Sequence, residues 1–491
     1  MTNLKNWFRN TFLIEKLCIP EGIVLLGIIC FAFTFFIVKG GIVVGAMILL
    51  FILGIPALYA IVAYPKIGII GLMISSYLIM WLIKMQIAGN FKLGTTIDAL
   101  EVLLILGFFI KQKSNPDWSF LKNPISVMIL IWIAYNILQL ANPTAESRLA
   151  WLYTVRTVAV VMLMYFVFMY QIKSIGFIRL IIKTWIGLSI FGAIYGFKQQ
   201  YFGFFAFEEA NFSDPLVISL LFINGVWRKF SIFNDPVSFS YNMVISAILC
   251  LALITGPISK AKKILLGAFA AFFLMNMLYS GTRGAYVLIP VSLILFGILK
   301  FNKQIMVLGL IGGIFFVALI FVPTSNGTLF RFQSAFKPSD DASFNVRSNN
   351  QKRIQPYILS HPIGGGLGAT GVWGKQFAPY SYLANFPPDS GYVRVAVELG
   401  WIGLLLFCIL MFVIIKTGVD NYYKILDPEL KSYCLAMTLI AFTLNFGNYP
   451  QEALVQYPVS VYFNLVVALI NICLILDQKK QLVKTQQVVY L

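Results

Sequence analysis

Along most of this chain, apolar stretches long enough to form a helix across a bilayer alternate with short polar clusters. A run of roughly 17 or more such residues can cross ~30 Å of hydrocarbon. Fourteen candidate stretches lie near residues 22–38, 41–63, 68–84, 96–110, 124–140, 151–172, 177–199, 237–256, 263–280, 284–299, 305–322, 391–415, 432–447 and 456–476. The pattern predicts an all-α fold, a polytopic membrane helical bundle of about 14 spans, with 12–14 as the range. One long polar stretch interrupts it, the 68 residues from Pro323 to Ser390. The expected organisation is spans 1–11 over residues 1–322, a large and partly helical extracytoplasmic loop over 323–390, spans 12–14 over 391–476 and a tail over 477–491.

Composition agrees with the pattern. Hydrophobic residues make up 59% of the chain and charged residues 11%, against about 25% charge in a typical soluble domain. The first apolar run, Ile23 to Val38, is longer than a signal-peptide core and no small-residue cleavage site follows it, so it reads as a retained span. The six cysteines lie in apolar stretches or near the N-terminal tail, which predicts neither disulfides nor a metal cluster. No cofactor motif and no nucleic-acid module is evident, and no repeat of 20–50 residues.

Charge sets the orientation. With the N-terminus inside, the inside connections carry Lys111, Lys113, Lys122, Lys260, Lys262, Lys263, Lys300, Lys303, Lys416, Lys424 and Lys431, and the tail adds Lys479, Lys480 and Lys484. The positive-inside rule then places both termini in the cytoplasm and the long loop outside. The arginines run the other way. Arg148, Arg156, Arg228, Arg283, Arg331, Arg347, Arg353 and Arg394 fall in or near outside segments. A guanidinium holds phosphate or carboxylate oxygens bidentately and stays charged when partly desolvated. Eight outward arginines therefore suggest an anionic, lipid-linked ligand at the outer leaflet. For any single arginine the alternative is snorkelling or a local salt bridge with Glu146, Asp235 or Glu398.

Several short motifs carry candidate chemistry. The mixed segment Tyr201 to Ser240 fits the outer interface or a re-entrant stretch. Ser280-Gly281-Thr282-Arg283-Gly284-Ala285 reads as a tight outward turn that projects one arginine. Asn345 to Ser360 reads as a helix bearing Arg347 and Arg353 and ending at His361-Pro362, because a residue before proline resists helix. His361 is the only histidine; it either caps that helix or meets substrate. The glycines at 364, 365, 366 and 368 allow a sharp turn and a close backbone approach to a ligand. At the return to the membrane, Asp389 or Ser390 is placed to cap the next helix, and Asp389 is alternatively a general base. Arg394 and Glu398, four apart, can pair on one helix face.

Taken in order, the arginine turn, Arg347, His361-Pro362-Ile363-Gly364-Gly365-Gly366, Asp389-Ser390-Gly391-Tyr392 and Glu398-Leu399-Gly400-Trp401-Ile402-Gly403 resemble the O-antigen ligase and O-antigen polymerase superfamily of bacterial inner-membrane glycosyltransferases, over roughly residues 225 to 410. The resemblance implies metal-independent transfer or polymerisation of an undecaprenyl-diphosphate-linked glycan onto a glycan or lipid acceptor at the periplasmic face. It implies membrane lipids and other polysaccharide-assembly proteins as partners, and no nucleic acid. Carried over by position, the diphosphate-binding candidates are Arg228, Arg283 and Arg347, with Arg353 added by proximity. The catalytic candidates are Asp389 and His361. Ligases commonly carry a histidine where this chain has Asp389-Ser390, and His361 matches the family's His-Pro before the glycines. Aspartate in that place is found in polymerase-like relatives, which tilts the reading towards a polymerase. Two alternatives stay open. A lipid-linked sugar flippase or polysaccharide exporter would share the many spans but place charges mid-span around a central cavity. An inactive scaffold of a polysaccharide assembly complex would tolerate the missing histidine.

Overall fold

The computed structural model describes residues 58–86, 93–223, 225–301, 317–325, 327–336 and 342–489, with isolated positions between 24 and 56 and at 313–314. The chain divides into two compact units, Met1–Tyr64 and Pro65–Leu491. Described positions of the first between 24 and 63 are helical.

Nine helices among the described residues are long and apolar enough to cross a membrane. They begin at Pro65, Pro124, Arg148, Ile175, Pro236, Lys260, Gly391, Pro428 and Val459, each at or within a few residues of an expected span. Arg283–Leu299 is equally apolar but has only 17 residues. Gly94–Ser114 is a helix where a further span was expected, although it carries Asp98, Glu101, Lys111 and Lys113. The expected spans near 22–38, 41–63 and 305–322 fall wholly or partly outside the described residues. The fold is thus an all-α membrane bundle. Among the described residues, its strands are one short antiparallel hairpin pairing Phe222–Ile223 with Val226–Trp227.

Local chemistry explains where several helices start. Asn123, Asp235 and Asp427 each precede a proline at the first helical position, and each side chain accepts backbone N–H bonds from the first turn. Proline has no N–H to leave unsatisfied there, and the Asx oxygen takes one that would otherwise be orphaned. Ser174 caps the next helix in the same way through Phe177 N–H at 3.3 Å.

Burial separates the inner helices from the lipid-facing ones. Pro236–Ile254, Pro428–Gly447 and Val459–Gln486 bury most of their length, whereas Lys260–Tyr279 is 22% buried. The inner helices can therefore carry polar side chains, provided these find partners. Tyr77 and Ser246 both hydrogen-bond Ser189, at 3.0 and 2.8 Å.

The segment from Pro323 to Ser390 contains the helices Gly327–Ser334, Ala342–Ser360 and Gly371–Phe377. Ile354 of the second packs with Leu383, Phe386 and Val397 in a small buried core, joined by Tyr357 and Val393. That core fastens the arginine-bearing helix to the start of Gly391–Lys424.

Candidate functional site

The turn Ser280–Thr282 links Lys260–Tyr279 to Arg283–Leu299, and two arginines from elsewhere grip its backbone. Arg228 donates from Nε to the Ser280 carbonyl at 2.9 Å, and from its terminal nitrogens to Leu220 O and Thr282 Oγ1, each at 3.0 Å. Arg331 donates from Nε to the Gly281 carbonyl at 2.5 Å. Gly281 has φ +59°, and a Cβ there would lie 2.9 Å from Arg331 Nε and 3.5 Å from Arg228 Cγ. Only glycine suits both the dihedral and the space. Arg283 opens the next helix, and Tyr286, one turn on, lies within electrostatic reach of Arg228, Arg283 and Arg331. Burial pushes the Arg228 guanidinium down to about 10; the neighbouring charges of Arg331 and Arg283 add to this, while Asp235 and Tyr286 oppose it. Like charges held together and half-buried are costly unless an anion offsets them.

Arg347, on the helix Ala342–Ser360, lies within electrostatic reach of Tyr241. The Tyr241 hydroxyl donates to Gly447 O at 2.9 Å. The segment after Gly447 connects the arginine turn to the return helix. A Cβ on Gly284 would meet Pro450 at 3.6 Å, and Gly391 N–H donates to Asn448 O at 2.9 Å. Asp389 stands just before Gly391, exposed, and its carboxylate has no hydrogen bond among the described residues. Ser390, not Asp389, is the helix cap. Asp389 is within electrostatic reach of Glu452, a half-buried carboxylate that burial pushes above the usual range, with Arg394 opposing.

His361 sits differently. Its Nδ1 lies 2.9 Å from the Tyr357 carbonyl and its ring stacks on Tyr357 with centroids 3.9 Å apart. A carbonyl only accepts, so Nδ1 is the donor in this contact. The histidine thus occupies the capping position at the end of its helix. The glycines that follow approach protein closely. Gly365 and Gly366 N–H donate to Val397 and Glu398 carbonyls, each at 2.9 Å. Those carbonyls are available because Gly400, at φ +71° and ψ −177°, breaks the helix there. A Cβ on Gly364 would lie 2.3 Å from Gly400 N, and one on Gly366 2.5 Å from Ala145 Cβ. Buried Glu398 completes the junction, accepting from Gly368 N at 3.0 Å, Thr370 Oγ1 at 2.5 Å and Arg394 Nε at 3.1 Å.

The remaining outward arginines have local partners or stand apart. Arg148 donates to Asn142 O at 2.7 Å, Arg156 pairs with Asp98 at 2.9 Å, and Arg394 bridges Glu398 and Glu452. Arg353 is exposed and makes no hydrogen bond among the described residues. The local reading therefore holds for these three. Arg228, Arg283 and Arg331 come together, with Arg347 across Tyr241.

A cavity of ≈ 130 Å³ lies beside Arg394 and Glu452, between the helices beginning at Pro124, Arg148, Gly391 and Val459. Trp132 Nε1, Asn136 Oδ1 and Ser460 Oγ belong to residues lining it, and all three atoms are buried without a hydrogen-bond partner among the described residues. Phe407 and Phe463 line it too.

The region holding the arginine turn, Arg331, Arg347, His361, Asp389 and Glu398 matches a known family. Residues 268–408 match O-antigen ligase. The superfamily resemblance is borne out over that stretch, so a multi-pass membrane bundle carries a region similar to O-antigen ligase. No protein with a curated description matches the chain. Arg228 and Glu452 lie outside the matched stretch and join the site through the fold. Sequence reasoning left both Arg331 and Glu452 out of the candidate site. Arg331 had a signal, since it was one of the outward arginines; Glu452 had none.

Proposed function

We propose that this chain is an integral membrane glycosyltransferase that transfers or polymerises an undecaprenyl-diphosphate-linked glycan at the periplasmic face of the bacterial cytoplasmic membrane. The observation that carries this reading is the cluster of Arg228, Arg283 and Arg331 on one turn, part of it inside the O-antigen ligase region. A diphosphate is a good leaving group. Arginines positioned before reaction stabilise the charge it gains as the glycosidic bond breaks. Arg347 reaches towards the same place from the loop. The acceptor hydroxyl must give up a proton, and the candidate carboxylates for it are Asp389, before the return helix, and Glu452, which lines the cavity.

The cavity beside Glu452 suits the acceptor. Its unpartnered donors and acceptors are neutral and stand beside aromatic rings, which fits a hydroxyl-rich sugar. Arg394 is answered by two carboxylates, so the cavity offers little to a diphosphate.

In a transfer assay with purified protein and lipid-linked donor, Arg283→Lys and Arg347→Lys should hurt nearly as much as the alanine variants, because lysine lacks the bidentate fork. Undiminished transfer by both lysine variants at equal abundance would refute the arginine role. The orientation rests on the lysine bias and is tested separately. An impermeant thiol reagent should label Tyr380→Cys in intact spheroplasts and leave Gln486→Cys unlabelled; the opposite pattern would reverse it.

A further inference from the structure

The helix Gly391–Lys424 starts beside the arginine site and, past its break at Gly400, carries Lys416 and Lys424 roughly 24 and 36 Å beyond that break at 1.5 Å per residue. At that far end lies a second cavity, of ≈ 600 Å³. Lys122, Lys173, Lys416, Lys424 and Lys479 line it, contributed by four separate parts of the chain near the ends of the helices around it. Asp117 and Asp420 are its two carboxylates. Lys416 pairs with Asp420 at 2.7 Å. Asp117 accepts from Ser119 Oγ at 2.6 Å and feels Lys173 and Lys479. Five lysines against two carboxylates leave an excess of three positive charges around one concavity. The same cavity is walled by apolar side chains, among them Met169, Ile172, Val413 and Ile475.

We infer that this cavity is a binding site for an anionic phospholipid, with the head-group phosphate among the lysines and an acyl chain against the apolar wall. A general lysine bias at this end of the helices explains cationic residues there but not their convergence on one hollow with an apolar side. Lysine is a point charge that binds phosphate without demanding a planar, bidentate partner. Basic pockets between membrane helices on the cytoplasmic side are suited to anionic head groups. The lysine bias assigns this end to the cytoplasm. The site needs neither the donor nor the transfer reaction.

The test compares lipid retention in detergent by native mass spectrometry, using phosphatidylglycerol against phosphatidylcholine. The pocket variant is Lys122→Gln with Lys424→Gln and Lys479→Gln, which leaves the Lys416–Asp420 pair intact. The control is Lys260→Gln with Lys262→Gln and Lys263→Gln, which removes equal charge elsewhere among the inside lysines. Wild type and control should retain phosphatidylglycerol in preference, and the pocket variant should lose that preference by ~10-fold or more. Lys122→Gln and Lys424→Gln alone should each give part of the loss, should the triple variant fold poorly. Equal loss in pocket and control variants would overturn the site in favour of diffuse surface attraction. Displacement of the lipid by millimolar inorganic phosphate would overturn the lipid assignment in favour of a soluble anion.

Discussion

Arg331 Nε donates a 2.5 Å hydrogen bond to the carbonyl of Gly281, fastening a helix of the long polar segment to the turn that presents Arg283. Arg228 holds the same turn from the other side. The turn is thus clamped by two cations whose mutual repulsion a bound diphosphate would relieve.

Gly281→Ala should therefore disturb binding as well as stability. Alanine at φ +59° costs about 1 kcal/mol or more, and its Cβ would press on Arg331. We expect a lower melting temperature in detergent and a raised donor KM. A donor KM equal to wild type would mean that the clamp does not shape the diphosphate site.

The base is assigned by two substitutions. Asp389 is exposed and is not the helix cap, so Asp389→Asn should leave folding unchanged. If Asp389 takes the proton, kcat should fall ~10²-fold or more. Glu452 is the competing carboxylate. Burial raises its pKa, so as the base it would be protonated, and activity lost, as pH falls through that raised value. Glu452→Gln should then abolish most of the activity, while Asp389→Asn would keep the acid limb of the wild-type pH profile. Near-normal kcat in both variants would exclude both carboxylates.

His361→Gln should be mild. The imidazole is committed to the helix end by Nδ1 and by stacking on Tyr357. Loss of a helix-terminal contact costs about 0.3–1 kcal/mol, so kcat should change by less than ~10-fold, below the range of a lost general base. A dead but folded His361→Gln would make His361 the base and displace Asp389.

Glu398→Ala should be severe for a structural reason. It would strip three hydrogen bonds from the junction between the glycine loop and the broken helix, and leave Arg394 with Glu452 alone. Removing one partner of a buried ion pair costs about 3–5 kcal/mol. The variant should fail to accumulate or melt well below wild type, whatever assay of activity is used. Wild-type melting would show that the junction is not held by this carboxylate.

Nine of the expected spans are matched by apolar helices among the described residues, because apolar length is a local signal. The Asn123-Pro124, Asp235-Pro236 and Asp427-Pro428 starts are local signals too, but the sequence reading did not use them. The arginines of the turn were legible through their opposition to the lysine bias. The glycine run showed that a close approach was needed but not to what. Its partner is the break at Gly400, 36 positions after Gly364, and no local pattern encodes that pairing. Asp389 and Ser390 were indistinguishable as caps, since both have the chemistry and only backbone dihedrals select Ser390. Glu452 was invisible because its place depends on the fold of a segment distant from every motif, brought to Arg394 at 2.7 Å. Arg156, one of the eight outward arginines but not a diphosphate candidate, faces Asp98, a carboxylate on another helix, as the local alternative allowed.

The most direct measurement is equilibrium binding of undecaprenyl diphosphate to the purified protein in nanodiscs, compared across Arg228→Gln, Arg283→Gln and Arg331→Gln. Charge-assisted hydrogen bonds contribute about 1.5–3 kcal/mol each, so each variant should weaken binding by roughly 10-fold or more, with undecaprenol bound equally by all. Unchanged diphosphate affinity in all three folded variants would contradict the account.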